Sequence, residues 1–238
     1  MKQTSKAAFT PAAMTAEEIA VIVPIADAVI EDDEMELWTV LRPALVQAFA
    51  RRVDAAVLFG IDKPASWGAS LSQVATTATA TVTATTDAVA DLLLAAEKVG
   101  ASGFNPTAAA VEPGWQFRAS TQRSDAFTGS PVGAEAPFDL AVAGMGIATN
   151  PPKWDATIAT AIVADWRNVL IGVRRDFKME IFNTGVIQDN LGAIMFNLLQ
   201  QDMSAIRCMM RIGYVLAQPD TQSDAATPAP VAMVIPAV

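Results

Sequence analysis

Residues 30–60, "IEDDEMELWTVLRPALVQAFARRVDAAVLFG", decide how this chain is read. Leu37, Leu41, Leu45, Phe49 and Val53 recur every four residues, and Trp38, Ala44, Ala48 and Ala56 widen the apolar stripe, the pattern of a helix with one buried face. Asp33 stands where an N-cap belongs, Glu36 follows three residues later, and the acidic first turn complements the helix dipole. Gly60 is the natural stop. From Glu34 to Phe59 such a helix is about 39 Å long, the spine of a domain. Pro43 predicts a bend, because an interior proline removes a backbone hydrogen bond.

Working outward, "AVIVPIADAVI" (20–30) is β-rich and interrupted by Pro24, which suits an edge strand or a strand end. Past Gly60, "DKPASWG" (62–68) reads as a loop, and "TTATATVTATT" (76–86) as a polar strand or a flexible hinge between domains. "DAVADLLLAAEKVG" (87–100) is a short helix capped by Thr86 or Asp87 and stopped by Gly100. Loops dominate 101–137, with "AAAVEPGWQF" (108–117) as a strand-like island, and "PFDLAVAGMGIATN" (137–150) reads as a buried strand ending in a turn at "NPP". "DATIATAIVADW" (155–166) leads into "DWRNVLIGVRRDF" (165–177), where Val169, Ile171 and Val173 alternate; a bend falls near Arg175 and Asp176, and "KMEIF" (178–182) continues as a second strand. In "DMSAIRCMMRIGYVLA" (202–217), Ile206, Cys208, Met210 and Ile212 share one face and Arg207 and Arg211 the other, a period of two. "VAMVIP" (231–236) is a last apolar strand. Strands and helices in this mixed order indicate an α+β fold.

Composition narrows the function. The chain has 238 residues, 52% of them hydrophobic and only 17% charged, and no run of about 18 uninterrupted apolar residues for a membrane to absorb. The surplus apolar surface is therefore expected against other protein, much of it against other subunits. The net charge of -9 opposes generic nucleic-acid binding. No export signal or lipid anchor is evident, and the single cysteine, Cys208, reads as a buried thiol in a reducing compartment.

With no histidine, Ser-His-Asp and Cys-His triads and histidine metal sites fall away, and one cysteine cannot make a zinc cluster. There is no phosphate-binding P-loop, and "GMG" (144–146) is only part of a dinucleotide fingerprint, best read as packing. Glu31, Asp32, Asp33 and Glu34 could hold a cation or act as paired carboxylates, although helix capping explains them with less. Trp67, Trp115, Trp154 and Trp166 read as loop anchors rather than stacking platforms. No catalytic, cofactor or metal residue is assigned. Arg167, Arg174 and Arg175 could bind phosphate, but so few arginines in an acidic chain read better as register-setting intersubunit ion pairs; Lys2, Lys6, Arg42, Arg207 and Arg211 are the other candidate intersubunit contacts.

Residues 20–68 resemble the major capsid proteins of tailed bacteriophages of the Hong Kong 97 type, from the extended loop into the spine helix. The matching positions are Pro24, Ile25, Asp32, Asp54, Ala55, Ala56, Gly60, Pro64 and Gly68. "ADWRNVLIGVRRDFKMEIF" (164–182) resembles the strand pair late in that family's axial domain, and "QQDMSAIRCMMRIGYVL" (200–216) its closing peripheral strand, with Arg207, Arg211 and Gly213 on the usual pattern. The resemblance implies an icosahedral shell of pentamers and hexamers in a virion, assembled in the bacterial cytoplasm around double-stranded DNA that is bound without sequence preference. Decoration, scaffold and portal proteins would be further partners; no membrane and no enzymatic activity are implied. It also implies an extended-loop remnant at 1–20, a peripheral domain at 21–75 and 193–238, and an axial domain at 76–192. Met1 falls where the family's extended loop descends. The alternatives are an encapsulin-like compartment shell, a tail-tube or decoration module, and a carboxylate-based hydrolase using residues 31–34.

Overall fold

The computed structural model describes residues 13–31, 37–122, 141–142, 144–149, 153–189, 191–219, 221 and 227–237. In chain order these form β1 (Ala16–Ala26), α1 (Asp27–Glu31), α2 (Leu37–Asp54), a π-turn (Ala55–Phe59), α3 (Leu71–Thr77), β2 (Thr81–Thr83), α4 (Ala88–Ala101), β3 (Ala108–Val111) and α5 (Trp115–Gln122). There follow β4 (Ala141–Val142), β5 (Met145–Ala148), β6 (Ala161–Ala164), a 3₁₀ turn (Trp166–Asn168), β7 (Val169–Phe182), β8 (Val186–Gln188), β9 (Ile194–Asn197), β10 (Met203–Leu216) and β11 (Val231–Ile235). The fold is α+β.

The strands make a three-stranded antiparallel sheet, β1-β10-β7, a six-stranded mixed sheet, β2-β11-β6-β3-β5-β4, and the β8-β9 hairpin. Strand β10 lies between β1 and β7, and the period of two read from its sequence sorts its side chains. Ile206 and Cys208 pack with Leu45 and Phe49 of α2, joined by Leu41, Phe177, Met179 and Met210. Phe49 meets Phe177 edge to face at 5.4 Å, the arrangement that aromatic quadrupoles favour. Further along, Ile212 and Tyr214 pack with Ala56, Val57 and Trp67. The four-residue stripe of the helix and the alternation of the strand are two halves of one interface.

The second sheet is covered on both faces. Ala161 and Val163 face Leu92, Ala95, Val99 and Trp115 of α4 and α5, while Ile162 and Ala164 face Leu71, Val74 and Ala75 of α3 together with Leu58 and Phe59 of the π-turn. Strands buried on both faces read as continuous apolar runs, as "AIVA" and "VAMVI" do. The π-turn joins the two bodies. All five of its residues are buried, with Ala56 and Val57 in one core and Leu58 and Phe59 in the other.

Several expectations change. β1 ends at Ala26 and Asp27–Glu31 turn into α1, because β10 begins at Met203, opposite Ala26, and offers no partner beyond it. Asp27 instead closes the edge, its amide donating to Asp202 O at 3.0 Å and its carboxylate accepting from Ser204 Oγ at 2.6 Å. The Asp33–Glu36 cap lies outside the described residues. α2 continues through Pro43, and the irregular winding comes instead at 55–59. Gly60 ends it as expected, at φ 73°, where its amide reaches Ala56 O at 3.1 Å; a side chain there would be strained and would crowd Ser70.

The "TTATATVTATT" run is neither one strand nor a hinge. Thr76 and Thr77 belong to α3, capped by a Ser70–Gln73 capping box, and only Thr81–Thr83 pair, in parallel with β11. α4 is capped by Asp87 and passes Gly100 by one residue. The 108–117 island is β3 followed by the start of α5, and the described part of 137–150 is the β4-β5 hairpin, turned at Gly144 with φ 79°. β7 is one strand, and the bend expected at Arg175–Asp176 is a pair of register shifts there. β7 pairs with β10, and β11 lies between β2 and β6. Each strand goes where its apolar faces are covered.

Leu45→Ala is expected to cost about 2–5 kcal/mol in urea unfolding, and Leu45→Asp to abolish soluble protein, because the position is buried against Ile206 and Cys208. A soluble Leu45→Asp subunit with unchanged melting would contradict the packing.

Candidate functional site

The candidate arginines separate by environment. Arg167 is drawn back onto its own chain: Asp165 caps the 3₁₀ turn, and Arg167 Nε and Nη2 donate to its two carboxylate oxygens at 2.9 and 2.8 Å. These bonds, chiefly the side-chain pair, hold the Asp165 carboxyl below its ordinary value. Arg207 Nη2 meets Glu18 Oε1 at 3.3 Å across the strands. Arg211 stands opposite Glu18 on one side and Arg175 on the other, and its Nε is buried with no hydrogen-bond partner. Arg174, Arg175 and, on α2, Arg42 are exposed. Lys2 and Lys6 lie outside the described residues, as do Asp32, Asp33 and Glu34 of the acidic run.

The structure adds a surface that the sequence reading left unassigned. Residues 186–197 form a hairpin, β8-β9, turned by Asp189, whose Oδ1 accepts from the amides of Leu191 and Ala193, both at 2.8 Å. Gly192 takes φ 83° there. An aspartate and a glycine three residues apart between apolar runs were the available signal. The hairpin exposes Leu191 at 93%, Ile194 at 64% and Met195 at 56%, and Leu199 just beyond it is exposed at 72%. It follows β7, which with β1 is one of the two edge strands of its sheet and which exposes Leu170, Ile171, Val173 and Ile181. A ladder edge flanked by large apolar side chains is a template for another chain.

The tryptophans are anchors. Trp154 Nε1 donates to Ala159 O at 2.8 Å and its ring meets Phe59 edge to face; Trp166 Nε1 donates to Ala108 O at 2.9 Å; Trp115 is buried among α4 and α5. Trp67 packs on Tyr214 beside a cavity of about 220 Å³ between β1, α2 and the loop after Gly60. Cys208 is buried, which pushes its thiol up and leaves it unreactive. Among the described residues no group of three His, Cys, Asp or Glu side chains could hold a metal, and no helix is long and apolar enough to cross a membrane.

The sequence profile of the phage capsid family matches residues 1–221. The chain belongs to the phage capsid family. It is a structural subunit of an icosahedral phage shell, and its fold is of the Hong Kong 97 type. A structure from Mycobacterium phage Adephagia is 32% identical with a TM-score of 0.79, and one from Microbacterium phage Oxtober96 is 28% identical with a TM-score of 0.81; each match covers 94% of this chain and 73% of the other. The capsid of a native GTA particle shares the fold at 16% identity and a TM-score of 0.55, over 94% of this chain and 74% of that one. No curated protein matches the sequence.

Asp165→Ala is expected to lose about 1 kcal/mol of stability at pH 7, as a lost cap does. The folded carboxyl titrates below the unfolded value near 3.9, so this stabilisation is complete above about pH 4 and disappears as pH falls through the folded value. Urea unfolding of both proteins from pH 7 to pH 2.5 should show the gap closing only in acid.

Proposed function

We propose that the β7 edge and the β8-β9 hairpin are the principal subunit contacts, and that through them the protein assembles as pentamers and hexamers. In this reading the peripheral domain comprises α2 with the β1-β10-β7 sheet, and the axial domain is the six-stranded sheet with α3, α4 and α5. The observation that carries the proposal is the run of exposed apolar side chains from Leu170 to Leu199 on an unpaired strand edge and its hairpin. Arg174, Arg175, Asp176, Lys178 and Glu180 divide the apolar run into two stretches, Leu170–Val173 and Ile181 onward into the hairpin, and uncovered apolar patches of this kind mark contact surfaces.

The shell encloses double-stranded DNA without reading its sequence. A subunit of net charge -9 does not grip phosphate broadly, which leaves a packaged genome free to slide. Scaffold, portal and decoration proteins are the further partners, assembly takes place in the host cytoplasm, and the subunit's work is contact energy rather than catalysis. Apolar contact cores with charge-matched rims give collective strength from individually weak steps.

Arg174→Glu tests the charged part of this edge. Arg174 is exposed at the β7 register shift, so the variant should fold with a stability change within about 0.5 kcal/mol. Sedimentation and negative-stain microscopy should nevertheless show a loss of particles. A particle yield equal to wild type would refute the role of this edge.

A further inference from the structure

The face of the β1-β10-β7 sheet turned away from α2 carries an excess of cations in an acidic protein. Register places Glu18, Arg211 and Arg175 in one row, Ala20, Met209 and Lys178 in the next, and Ile22, Arg207 and Glu180 in a third. That gives four cations and two carboxylates, within a chain of 16 basic and 25 acidic residues. The register shifts add Arg174 and Asp176, one charge of each sign, so the surplus of two positive charges stands.

The carboxylates present are already engaged. Glu18 bonds Arg207 at 3.3 Å although the ladder sets it opposite Arg211, and Glu180 bonds Lys178. Arg211 is left facing Arg175 across the strands, with its Nε buried and unpartnered. Like charges directly opposite on neighbouring strands destabilise a sheet, and a half-buried guanidinium whose Nε has no acceptor gains from an added anion. Among the described residues no carboxylate is hydrogen-bonded to Arg211 or Arg175.

We propose that this face docks the acidic run Glu31–Glu36 of a second copy, with Arg175 and Arg211 clamping its carboxylates. Glu31, Asp32, Asp33, Glu34 and Glu36 put five carboxylates into six residues, the densest charge in the chain, and Glu31 is exposed at the end of α1. Complementary charge selects and orients a partner, and in a shell of identical subunits every copy carries both the run and the face. The inference rests on the shell reading and adds to it a partner segment for one named surface.

Lys178, the amine on this face, makes the contact readable. Particles assembled from a mixture of ¹⁵N-labelled and unlabelled subunits are treated with a zero-length carbodiimide, which joins an amine to a carboxylate in direct contact, and digested for mass spectrometry. The expected product links Lys178 to a carboxylate within 31–36 and carries mixed isotopes, proving that two copies contribute; dissociated subunits should give only the own-chain Lys178–Glu180 product. Particles that yield only the own-chain product, or a mixed-isotope link from Lys178 to another segment, would overturn the contact while leaving the shell intact. Lys178 reactive in DNA-free particles but shielded in DNA-filled ones would overturn it in favour of packaged DNA. Wild-type subunits that form no particles would take down the shell reading as well.

Discussion

The packing of Leu45 and Phe49 against Ile206 and Cys208 is the contact on which the rest of the molecule depends. A strand has two faces, and a slip of one residue exchanges them. Strand β10 carries apolar side chains on one parity and Arg207 and Arg211 on the other, so the helix that covers the apolar parity also determines that the arginines face outward. With β10 placed, β1 and β7 pair on either side of it and become the two edges of the sheet. The proposed assembly edge thus follows from a core contact.

The same helix ties together the two halves of the subunit. At Ala55–Phe59 the winding widens to a π-turn and five successive residues are buried, two facing one core and two the other. π-turns inside helices often mark sites where function overrides regular geometry. Asp54 stands at this junction with Oδ2 buried and unpartnered, and burial raises its carboxyl above the usual carboxylate range. A polar group in that position costs stability, which is consistent with a joint shaped by something other than folding alone.

Periodicity made the main interface legible. The stripe Leu41, Leu45, Phe49, Val53 and the alternation 206–212 name both of its surfaces, and Gly60 marks where the helix ends. What periodicity could not carry was partnership. Nothing local distinguishes 20–26, which finds a neighbour in β10, from 27–31, which does not. "VAMVI" reads as a buried strand but does not say in which sheet, since continuous apolar runs fit any site covered on both faces. The arginines were recognised as a group, yet only the structure separates Arg167, occupied by Asp165, from Arg211, left without a hydrogen bond at Nε. The β8-β9 hairpin escapes periodicity because its strands are three and four residues long, too short for alternation to register, and its Asp189–Gly192 turn is the remaining signal.

The central claim is that the open edge of β7 and the hairpin beside it are covered by other copies in the working particle. Hydrogen–deuterium exchange of peptides spanning 169–182 and 186–197, compared between intact particles and dissociated subunits, addresses this directly. The account predicts slow exchange in particles and fast exchange in subunits for those peptides, with the 161–164 and 231–235 strands equally protected in both. Equal exchange of the β7 and hairpin peptides in the two states would contradict it.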